Sequence, residues 1–395
     1  MGTTTTRTQV GIIGAGPAGL LLSHILHLHG IDSVIVENRS RAAIEQTIRA
    51  GVLEQGTIDL LRELGLDRRI GEVGAYHHGF DLRWRGATHR VDMQALTGRS
   101  IAVYPQHEVL IDLIAARLAT GADLRFEVAD TAIDDPDGPS PAIRYTDGRG
   151  APHRIECDFI AGCDGSWGVG RKALPDAHHF LRVYPFAWFG ILCHAPISND
   201  AILYARSPAG FALISTRTEN VQRMYFQCDP AENADDWSDE RIWAQLQACV
   251  AGADGYRLHE GPVFQKSVIP LRSFVCEPMR RGRLFLAGDA AHLVPPTGAK
   301  GLNLAANDVV LLARGLDSFY KKNDSSLLDS YTTDALRRIW RAQHFSWWMT
   351  SMLHNAPDNN EFDARRSEAE LDFITTNRNA ETALASVYAG APLGE

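Results

Sequence analysis

The chain of 395 residues contains little cysteine, no excess of basic charge and no long apolar segment. Its six cysteines are scattered without a CxxC pair, and no histidines cluster at ligand spacing, so we expect neither a disulfide framework nor a metal site. The net charge of −9 argues against nucleic-acid binding, which requires a basic surface. No apolar run is long enough to span a membrane, and the N-terminus does not resemble a signal peptide. The sequence therefore predicts a cytoplasmic protein.

The beginning of the chain has the pattern of a strand, a helix and a second strand. Residues 8–14 are typical of a buried strand, residues 17–29 of a leucine-rich helix, and residues 33–37 of another buried strand. This order predicts a parallel sheet covered by helices.

A glycine motif, GAGPAG at residues 14–19, lies between the first strand and the helix, and Glu37 ends the second strand. Glycines let the backbone approach a pyrophosphate, and the positive end of the helix attracts its charge. A carboxylate at Glu37 would accept hydrogen bonds from a ribose. Glycines also serve ordinary tight turns, so the prediction of a dinucleotide site depends on the combination of strand, helix, strand and acid.

Two further Asp and Gly pairs follow predicted strands. Asp164 and Gly165 come after a buried strand, and the pair Gly288–Asp289 follows the apolar segment RLFLA. Asp289 could accept hydrogen bonds from a ribityl chain. NAD has no such polyol, so this aspartate favours FAD. Taken alone, the same aspartate could be a helix N-cap.

The segment from residue 182 to 229 alternates between apolar and polar residues, which predicts an antiparallel meander. By parity, Ser215 and Arg217 share one face of their strand, and Arg223 and Tyr225 share a face of the next. A guanidinium beside hydroxyl groups suits a buried carboxylate, although a single arginine on a strand more often faces solvent. Parity leaves open whether the two faces coincide.

The three motifs occur in this order and spacing in the group A flavoprotein aromatic hydroxylases, which the chain resembles over nearly its whole length. Within that family, residues 49–57, 210–217, 283–305 and 345–354 are most similar to members that hydroxylate 4-hydroxybenzoate. The resemblance implies non-covalent FAD, and NADH or NADPH as a transient reductant. It also implies O2-dependent conversion of 4-hydroxybenzoate to 3,4-dihydroxybenzoate through a flavin C4a-hydroperoxide. The alternatives are a hydroxylase of another phenolic acid, such as 3-hydroxybenzoate or salicylate, and a FAD reductase that does not use oxygen.

The resemblance assigns substrate and proton-transfer roles to particular residues. The substrate would be bound by Ser215, Arg217, Tyr225, Tyr204 and Pro296. Catalysis would depend on a proton relay of Tyr204, Tyr388 and His77, with the carbonyl of Pro296 near the phenol. Such a relay is chemically reasonable, because a phenol has a pKa near 10 and needs help to become a phenolate. Arg223 would sense movement of the flavin.

The resemblance also assigns the residues around the two nucleotides. Those expected around FAD are Gly14, Gly16, Ala18, Gly19, Glu37, Arg49, Gln106, Asp164, Asp289, Lys300, Gly301, Leu302 and Asn303. Nucleotide choice would depend on Asn38, Arg39 and Ala43, which stand where NADPH-using relatives have arginine, glutamine and tyrosine. This loss of cationic and polar groups predicts that NADH serves at least as well as NADPH.

We therefore expect an α/β architecture with three parts. Residues 1–180 would form a doubly wound, Rossmann-like FAD-binding domain, with 76–100 contributing strands to the substrate sheet. Residues 181–282 would form the antiparallel β-sheet substrate domain, and residues 283–395 the ribityl and isoalloxazine site with a helical C-terminal region. A homodimer is expected, and Trp347 and Trp348 are interpreted as core or dimer-face residues.

Overall fold

A computed structural model describes residues 3–47 and 51–394 of the chain. In chain order its strands are β1 (Thr4–Arg7), β2 (Val10–Ile13), β3 (Ser33–Val36), β4 (Val52–Leu53), β5 (Ala75–His77), β6 (Gly79–Trp84), β7 (Ala87–Asp92), β8 (Ile101–Val103), β9 (Asp123–Arg125), β10 (Ala129–Asp134), β11 (Ala142–Thr146), β12 (Pro152–Glu156), β13 (Phe159–Gly162), β14 (His178–His194), β15 (Leu203–Ser207), β16 (Gly210–Thr218), β17 (Val221–Cys228), β18 (Val263–Glu277), β19 (Arg280–Arg281), β20 (Leu284–Leu286) and β21 (His292–Leu293).

The helices are α1 (Pro17–Leu28), α2 (Arg41–Gln46), α3 (Gln55–Glu63), α4 (Ile70–Val73), α5 (Met93–Thr97), α6 (Gln106–Ala119), α7 (Val169–Lys172), α8 (Asp239–Val250), α9 (Gly301–Lys322), α10 (Ser326–Asp329), α11 (Tyr331–Leu353), α12 (Glu361–Thr376) and α13 (Arg378–Ala389). Short 3-10 turns occupy Ala234–Asp236, Gly288–Ala290 and Pro296–Gly298. Within the described ranges, no helix combines the length and apolar character needed to cross a membrane.

The first sheet has the order β19-β20-β13-β2-β3-β9 and is parallel except for β19. Its central strand β2 is completely buried, and α1 packs against α6 and α9. A strand that is apolar on both faces requires cover on both sides. Ile12 of β2 faces Gly19 of α1, whereas Gly11 faces Ile143 of β11, which belongs to a sheet of order β1-β12-β11-β10. Helices therefore cover one face and strands the other, and the predicted α/β domain with a parallel sheet is confirmed.

The second sheet has eight strands in the order β21-β18-β14-β17-β16-β15-β6-β7. Neighbouring strands of this sheet run antiparallel, except for β15 and β6, which run parallel to each other. One face packs against α8, and the other against aromatic residues that include Phe345 of α11 and Tyr388 of α13. The meander predicted from the alternation of residues 182–229 is part of this sheet, and β6 and β7 come from the segment 76–100.

One local sequence pattern is misleading. The leucine-rich residues 52–64, which precede Gly65, predict a single helix, but Val52 and Leu53 form β4, which pairs with β8, and α3 begins only at Gln55. The pairing partner lies about fifty residues away, so no local pattern indicates it. The prolines at 295 and 296 predict a helix that begins near Ala299, and α9 begins at Gly301, after a 3-10 turn and a positive φ of 53° at Ala299.

The two adjacent tryptophans of α11 have different surroundings. Trp348 is half-buried and donates a hydrogen bond from its indole nitrogen to Glu370 of α12. Trp347 is 38% exposed and lies on the outer side of the helix, near His344. Trp348 therefore belongs to the packing between α11 and α12, whereas Trp347 is available to a partner.

Candidate active site

A cavity of about 1150 Å3 lies between the parallel sheet and the eight-stranded sheet. It brings together residues that are far apart in the sequence and that come from both sets of predictions. Those of the predicted flavin set that line it are Gly14, Gly16, Ala18, Glu37, Gln106, Asp164, Asp289, Lys300, Gly301 and Leu302. Those of the predicted substrate set are Tyr204, Ser215, Arg217, Tyr225 and Pro296.

The glycine motif forms a tight turn from β2 into α1. Gly14 has a φ of +101°, and a Cβ there would lie 2.5 Å from the carbonyl oxygen of Cys163. A Cβ at Gly19 would lie 2.0 Å from the carbonyl oxygen of Gly14. At Gly16, by contrast, a Cβ would meet nothing within 4 Å, so this backbone faces open space. Gly14 and Gly19 therefore shape the turn, and Gly16 leaves room for a ligand at the helix N-terminus.

Glu37 is buried at the end of β3, beside this turn. One carboxylate oxygen accepts a hydrogen bond from the backbone N–H of Ala15 at 2.8 Å. The other accepts from the backbone N–H of Arg39 at 3.0 Å and from its Nε at 3.1 Å. The carboxylate thus ties the strand end to the glycine turn, at a position where it lines the cavity.

The two aspartates of the other motifs also face the cavity. Asp164 accepts a hydrogen bond from the N–H of Gly170 at 2.8 Å, while its Oδ1 is buried without a partner among the described residues. Burial raises the pKa of Asp164. Asp289 is exposed, and the preceding Gly288 has a φ of +64° and donates its N–H to Asp308 at 2.9 Å. An unpartnered carboxylate oxygen, an exposed aspartate and an open glycine turn fit a flavin dinucleotide rich in hydroxyl groups.

Asp308 belongs to none of the sequence motifs. It is fully buried in α9, and besides Gly288 it binds Nε2 of His292 at 2.6 Å. Burial acts to lower the pKa of His292, but the carboxylate of Asp308 outweighs it and the pKa is raised. Asp308 and His292 therefore hold the turn at Gly288 and Asp289 in place from its buried side. Its only sequence signal was a charged residue on the apolar side of α9.

Two of the residues expected around the flavin, Gly19 and Asn303, are not part of the cavity lining in the described ranges. Arg49 lies outside the described residues. Asn303 does not line the cavity: its side chain binds the backbone of Glu54 and Val52 and the hydroxyl of Thr57. It therefore joins α9 to the start of α3.

Lys300 lines the cavity, but its ammonium group points to Glu54, with the two charged groups 2.6 Å apart. Burial lowers the pKa of Lys300, and the carboxylate of Glu54 opposes this effect. Among the residues expected to select the nucleotide, Asn38 and Arg39 line the cavity, whereas Ala43 lies on α2 outside the lining.

The register of β16 and β17 answers the question that parity left open. Ser215 pairs directly with Arg223, and Leu213 pairs with Tyr225, so Ser215, Arg223 and Tyr225 lie on one face of the sheet. Arg217 lies at a register shift between Thr216 and Thr218, and it lines the same cavity as Ser215 and Tyr225. Ser215 donates its hydroxyl to the carbonyl of Arg223 at 3.1 Å, and Nε of Arg223 donates to the hydroxyl of Tyr225 at 2.9 Å.

Arg217 presents a cation to this end of the cavity. Its Nη1 donates only to the carbonyl of Thr216, at 3.3 Å, and its buried Nε has no partner in the described part of the chain. Burial lowers the pKa of Arg217. Since a buried donor without a partner is unfavourable, the arrangement suits a ligand with a negative charge.

The hydroxyls of Tyr204 and Tyr388 lie 2.7 Å apart, and both tyrosines are buried. The hydroxyl of Tyr204 also lies 3.1 Å from the carbonyl oxygen of Thr297, to which it donates. Burial raises the pKa of both tyrosines, so both are protonated at neutral pH. Among the described residues, no hydrogen bond joins Tyr388 to His77, which is half-buried in β5 and does not line the cavity.

The turn before α9 contributes a residue that the sequence did not single out. The carbonyl of Pro296 accepts the N–H of Ala299 at 2.9 Å, and it is the next carbonyl, that of Thr297, which meets Tyr204. Thr297 is completely buried, and its hydroxyl is 2.9 Å from that of Thr350. The resemblance placed the carbonyl of Pro296 near the phenol, whereas Tyr204 binds the carbonyl of Thr297.

Comparisons with known proteins agree with this arrangement. Residues 7–346 match the model of a family described as FAD binding domain. The p-hydroxybenzoate hydroxylase of Acinetobacter baylyi is 44% identical over 391 residues, covering 98% of this chain and 96% of that protein. A probable NADH-specific resorcinol 4-hydroxylase of Rhodococcus jostii is 24% identical over 82% of this chain and 62% of its own length.

The fold is also found in solved structures. The crystal structure of p-nitrophenol 4-monooxygenase from Pseudomonas putida DLL-E4 has a TM-score of 0.81 to this chain, at 18% identity, and 97% of each chain is covered. The predicted resemblance is therefore confirmed, and FAD is the cofactor that the residues of the cavity fit. The chain belongs to the FAD-binding family of group A flavoprotein aromatic hydroxylases.

Proposed function

We propose that the chain is a 4-hydroxybenzoate 3-monooxygenase, which converts 4-hydroxybenzoate, O2 and NAD(P)H to 3,4-dihydroxybenzoate, water and NAD(P)+. One observation carries the proposal: a single cavity is lined both by Arg217, whose buried Nε has no partner among the described residues, and by Tyr204, whose hydroxyl lies 2.7 Å from that of Tyr388. An aromatic acid with a phenol group presents a carboxylate to the first and a hydroxyl to the second. The p-hydroxybenzoate hydroxylase that is 44% identical adds support.

The carboxylate of the substrate is held on the face of the eight-stranded sheet. Arg217 supplies the charge through its planar guanidinium, and the hydroxyls of Ser215 and Tyr225 supply neutral hydrogen bonds. All three side chains project from β16 and β17, so the sheet fixes their spacing before the substrate arrives.

The phenol group of the substrate is activated by loss of its proton. Tyr204 binds the phenol oxygen and exchanges a proton with Tyr388, whose hydroxyl is 2.7 Å away. The resulting phenolate is electron-rich at the ring carbon ortho to the oxygen, where the new hydroxyl forms. The family resemblance assigns His77 as the final acceptor of the proton, which reaches it from Tyr388 without a direct hydrogen bond among the described residues. Burial and the nearby charge of Arg90 lower the pKa of His77, so its imidazole is neutral before the transfer.

The flavin end of the cavity holds the cofactor by the residues already described. Bound FAD supplies the redox chemistry that takes two electrons from NAD(P)H and activates O2 for transfer to the ring. The chain itself keeps the reacting region dry, because Tyr204 and Tyr388 are buried and Phe80 stacks on Tyr388 at a centroid distance of 4.3 Å. Dry surroundings limit the loss of activated oxygen as peroxide.

The proposal is tested with holoenzyme and three isomers of the substrate. We expect oxygen uptake, NAD(P)H oxidation and formation of 3,4-dihydroxybenzoate in equal amounts with 4-hydroxybenzoate. A hydroxylase of a related acid would instead give product from 3-hydroxybenzoate or salicylate. A reductase that does not use oxygen would oxidise NAD(P)H without taking up O2, and either result would disprove the proposal.

We expect the enzyme to use NADH at least as well as NADPH. The two arginines left near the expected 2′-phosphate position are both occupied: Arg39 binds Glu37 at 3.1 Å and Arg41 binds Glu45 at 2.6 Å. A 2′-phosphate needs free cations, so it gains little here. Steady-state kinetics with both nucleotides measures the preference. A kcat/KM for NADPH tenfold above that for NADH, about 1.4 kcal/mol, would contradict the prediction.

A variant offers a control for the same prediction. Asn38 lines the cavity at a position where NADPH-using relatives have arginine. Replacing Asn38 by arginine should therefore improve kcat/KM for NADPH while leaving that for NADH nearly unchanged.

We also propose that the enzyme works in the cytoplasm as a homodimer. Large apolar side chains are exposed on the first half of β14, at Leu181 and Val183, and Phe180 contacts the exposed Trp340 at 5.3 Å. An apolar patch of this kind is covered most simply by a second copy of the chain. Light scattering in solution should give twice the chain mass of 43.5 kDa.

A further inference from the structure

The segment that follows α13, residues 390–394, makes its hydrogen bonds through its backbone, and we call it the strap. Nη1 of Arg338 donates to the carbonyls of Ala391 at 3.0 Å and Pro392 at 2.7 Å. Its other terminal nitrogen donates to Glu54 at 2.7 Å. One guanidinium thus joins two strap carbonyls to a buried carboxylate, which its planar fork permits.

Two further arginines hold the ends of the strap. Arg99 donates to the carbonyl of Gly390 at 2.7 Å, and Arg314 donates to that of Gly394 at 3.3 Å. The N–H of Gly394 in turn donates to Asn307 at 2.9 Å. The strap is therefore attached to α9 and α11 and to the loop before β8, along its whole length.

Gly390 makes the turn from α13 into the strap. Its φ is +83°, and a Cβ there would lie 2.0 Å from a carboxylate oxygen of Glu54. Any side chain would both strain the backbone and displace the carboxylate. The turn is thus pressed against the same group that Arg338 binds.

The same carboxylate also connects to the last turn of α13. Lys300 binds Glu54 at 2.6 Å and donates to the carbonyls of Val387 at 2.6 Å and Tyr388 at 3.0 Å. A cation that binds the free carbonyls at a helix C-terminus stabilises that end of the helix. Tyr388 is therefore held from its own carbonyl and from the strap that begins two residues later.

We propose that Arg338 is a positioning residue for hydroxylation: by fixing the strap, it keeps the hydroxyl of Tyr388 within hydrogen-bond reach of Tyr204. The inference rests on the proposed function, because it takes these two tyrosines to be part of substrate activation. Helix ends fray when nothing holds them, and a displacement of 1 Å at Tyr388 would break the 2.7 Å contact.

The test replaces Arg338 by lysine in the holoenzyme. Lysine keeps the positive charge but cannot serve one carboxylate and two carbonyls in a plane. We expect product per NAD(P)H oxidised to fall about two- to tenfold, with the difference appearing as peroxide. Bound FAD and the Kd for 4-hydroxybenzoate should stay near the wild-type values. Arg337→Lys is the matched control, since Arg337 is the exposed neighbour, and its one ion pair within residues 3–47 and 51–394 is with Asp334; this variant should be fully coupled.

A double variant shows whether Arg338 acts through Tyr388. Tyr388→Phe alone should be uncoupled, and adding Arg338→Lys to it should cause no further loss. Two results would disprove the positioning role of Arg338 but leave the proposed function intact. One is an additive loss of coupling in the double variant, and the other is full coupling in Arg338→Lys while Tyr388→Phe is uncoupled. Full coupling in Tyr388→Phe would instead disprove the role of Tyr388 in the proton relay, and with it the positioning role of Arg338. If Arg338→Lys does not fold, Arg99→Met removes another strap contact from a half-buried position and faces the same criteria.

Discussion

Replacing Arg217 by alanine is expected to weaken binding of 4-hydroxybenzoate by about 2–4 kcal/mol, which is the largest effect on substrate binding that we expect of any residue in the cavity. The guanidinium has a buried Nε without a partner among the described residues, so its charge is available to the ligand. A neutral phenol of similar size has no carboxylate and should bind the variant about as well as the wild type. Titration of the flavin spectrum with both ligands measures the two dissociation constants.

Arg206 provides a matched control for this experiment. It is a buried arginine on the adjacent strand β15, but it does not line the cavity and donates to the carbonyl of Met352 at 2.5 Å. Arg206→Ala should lower thermal stability without changing the ratio of the two dissociation constants. Equal losses for the acid and the neutral phenol in Arg217→Ala would show that Arg217 supports the fold and does not bind the carboxylate.

Replacing Tyr204 by phenylalanine is expected to leave substrate binding almost unchanged but to reduce hydroxylation by about 10²-fold or more. The hydroxyl of Tyr204 meets Tyr388 at 2.7 Å and the carbonyl of Thr297 at 3.1 Å, so the substitution removes the first step of the relay. The electrons of NAD(P)H would still reach O2, and NAD(P)H oxidation should therefore continue while hydrogen peroxide replaces the aromatic product. Parallel assays of NAD(P)H, oxygen, peroxide and 3,4-dihydroxybenzoate measure this uncoupling.

Tyr184 is the control for loss of a buried tyrosine hydroxyl. It lies on β14 of the same sheet, outside the cavity lining, and its hydroxyl is 3.3 Å from that of Ser273. Tyr184→Phe should hydroxylate with normal coupling. Tight coupling in Tyr204→Phe would exclude Tyr204 from substrate activation and would leave Arg217 as the remaining support for the proposed substrate.

The sequence alone was sufficient for features that depend on neighbouring residues. The turn at Gly14, the helix from Pro17 and the strand that ends before Glu37 follow from local periodicity and from glycine at a positive φ. The meander of β16 and β17 follows from alternation, and parity correctly grouped Ser215 with Arg217. Such signals are readable because the partner groups lie within a few residues of each other along the chain.

Only the tertiary structure decided which of these features meet in one cavity. Tyr204 and Tyr388 are 184 residues apart, Glu54 lies 246 residues from Lys300 and 284 from Arg338, and none of these pairs has a local signal. The family resemblance paired the two tyrosines, but it gave no indication of the carbonyl of Thr297, of Asp308 beneath the Gly–Asp turn, or of the strap. The physical reason is that backbone periodicity determines which way a side chain points. Its partner is determined by the packing of distant elements, through burial of apolar surface and the need to satisfy every buried polar group.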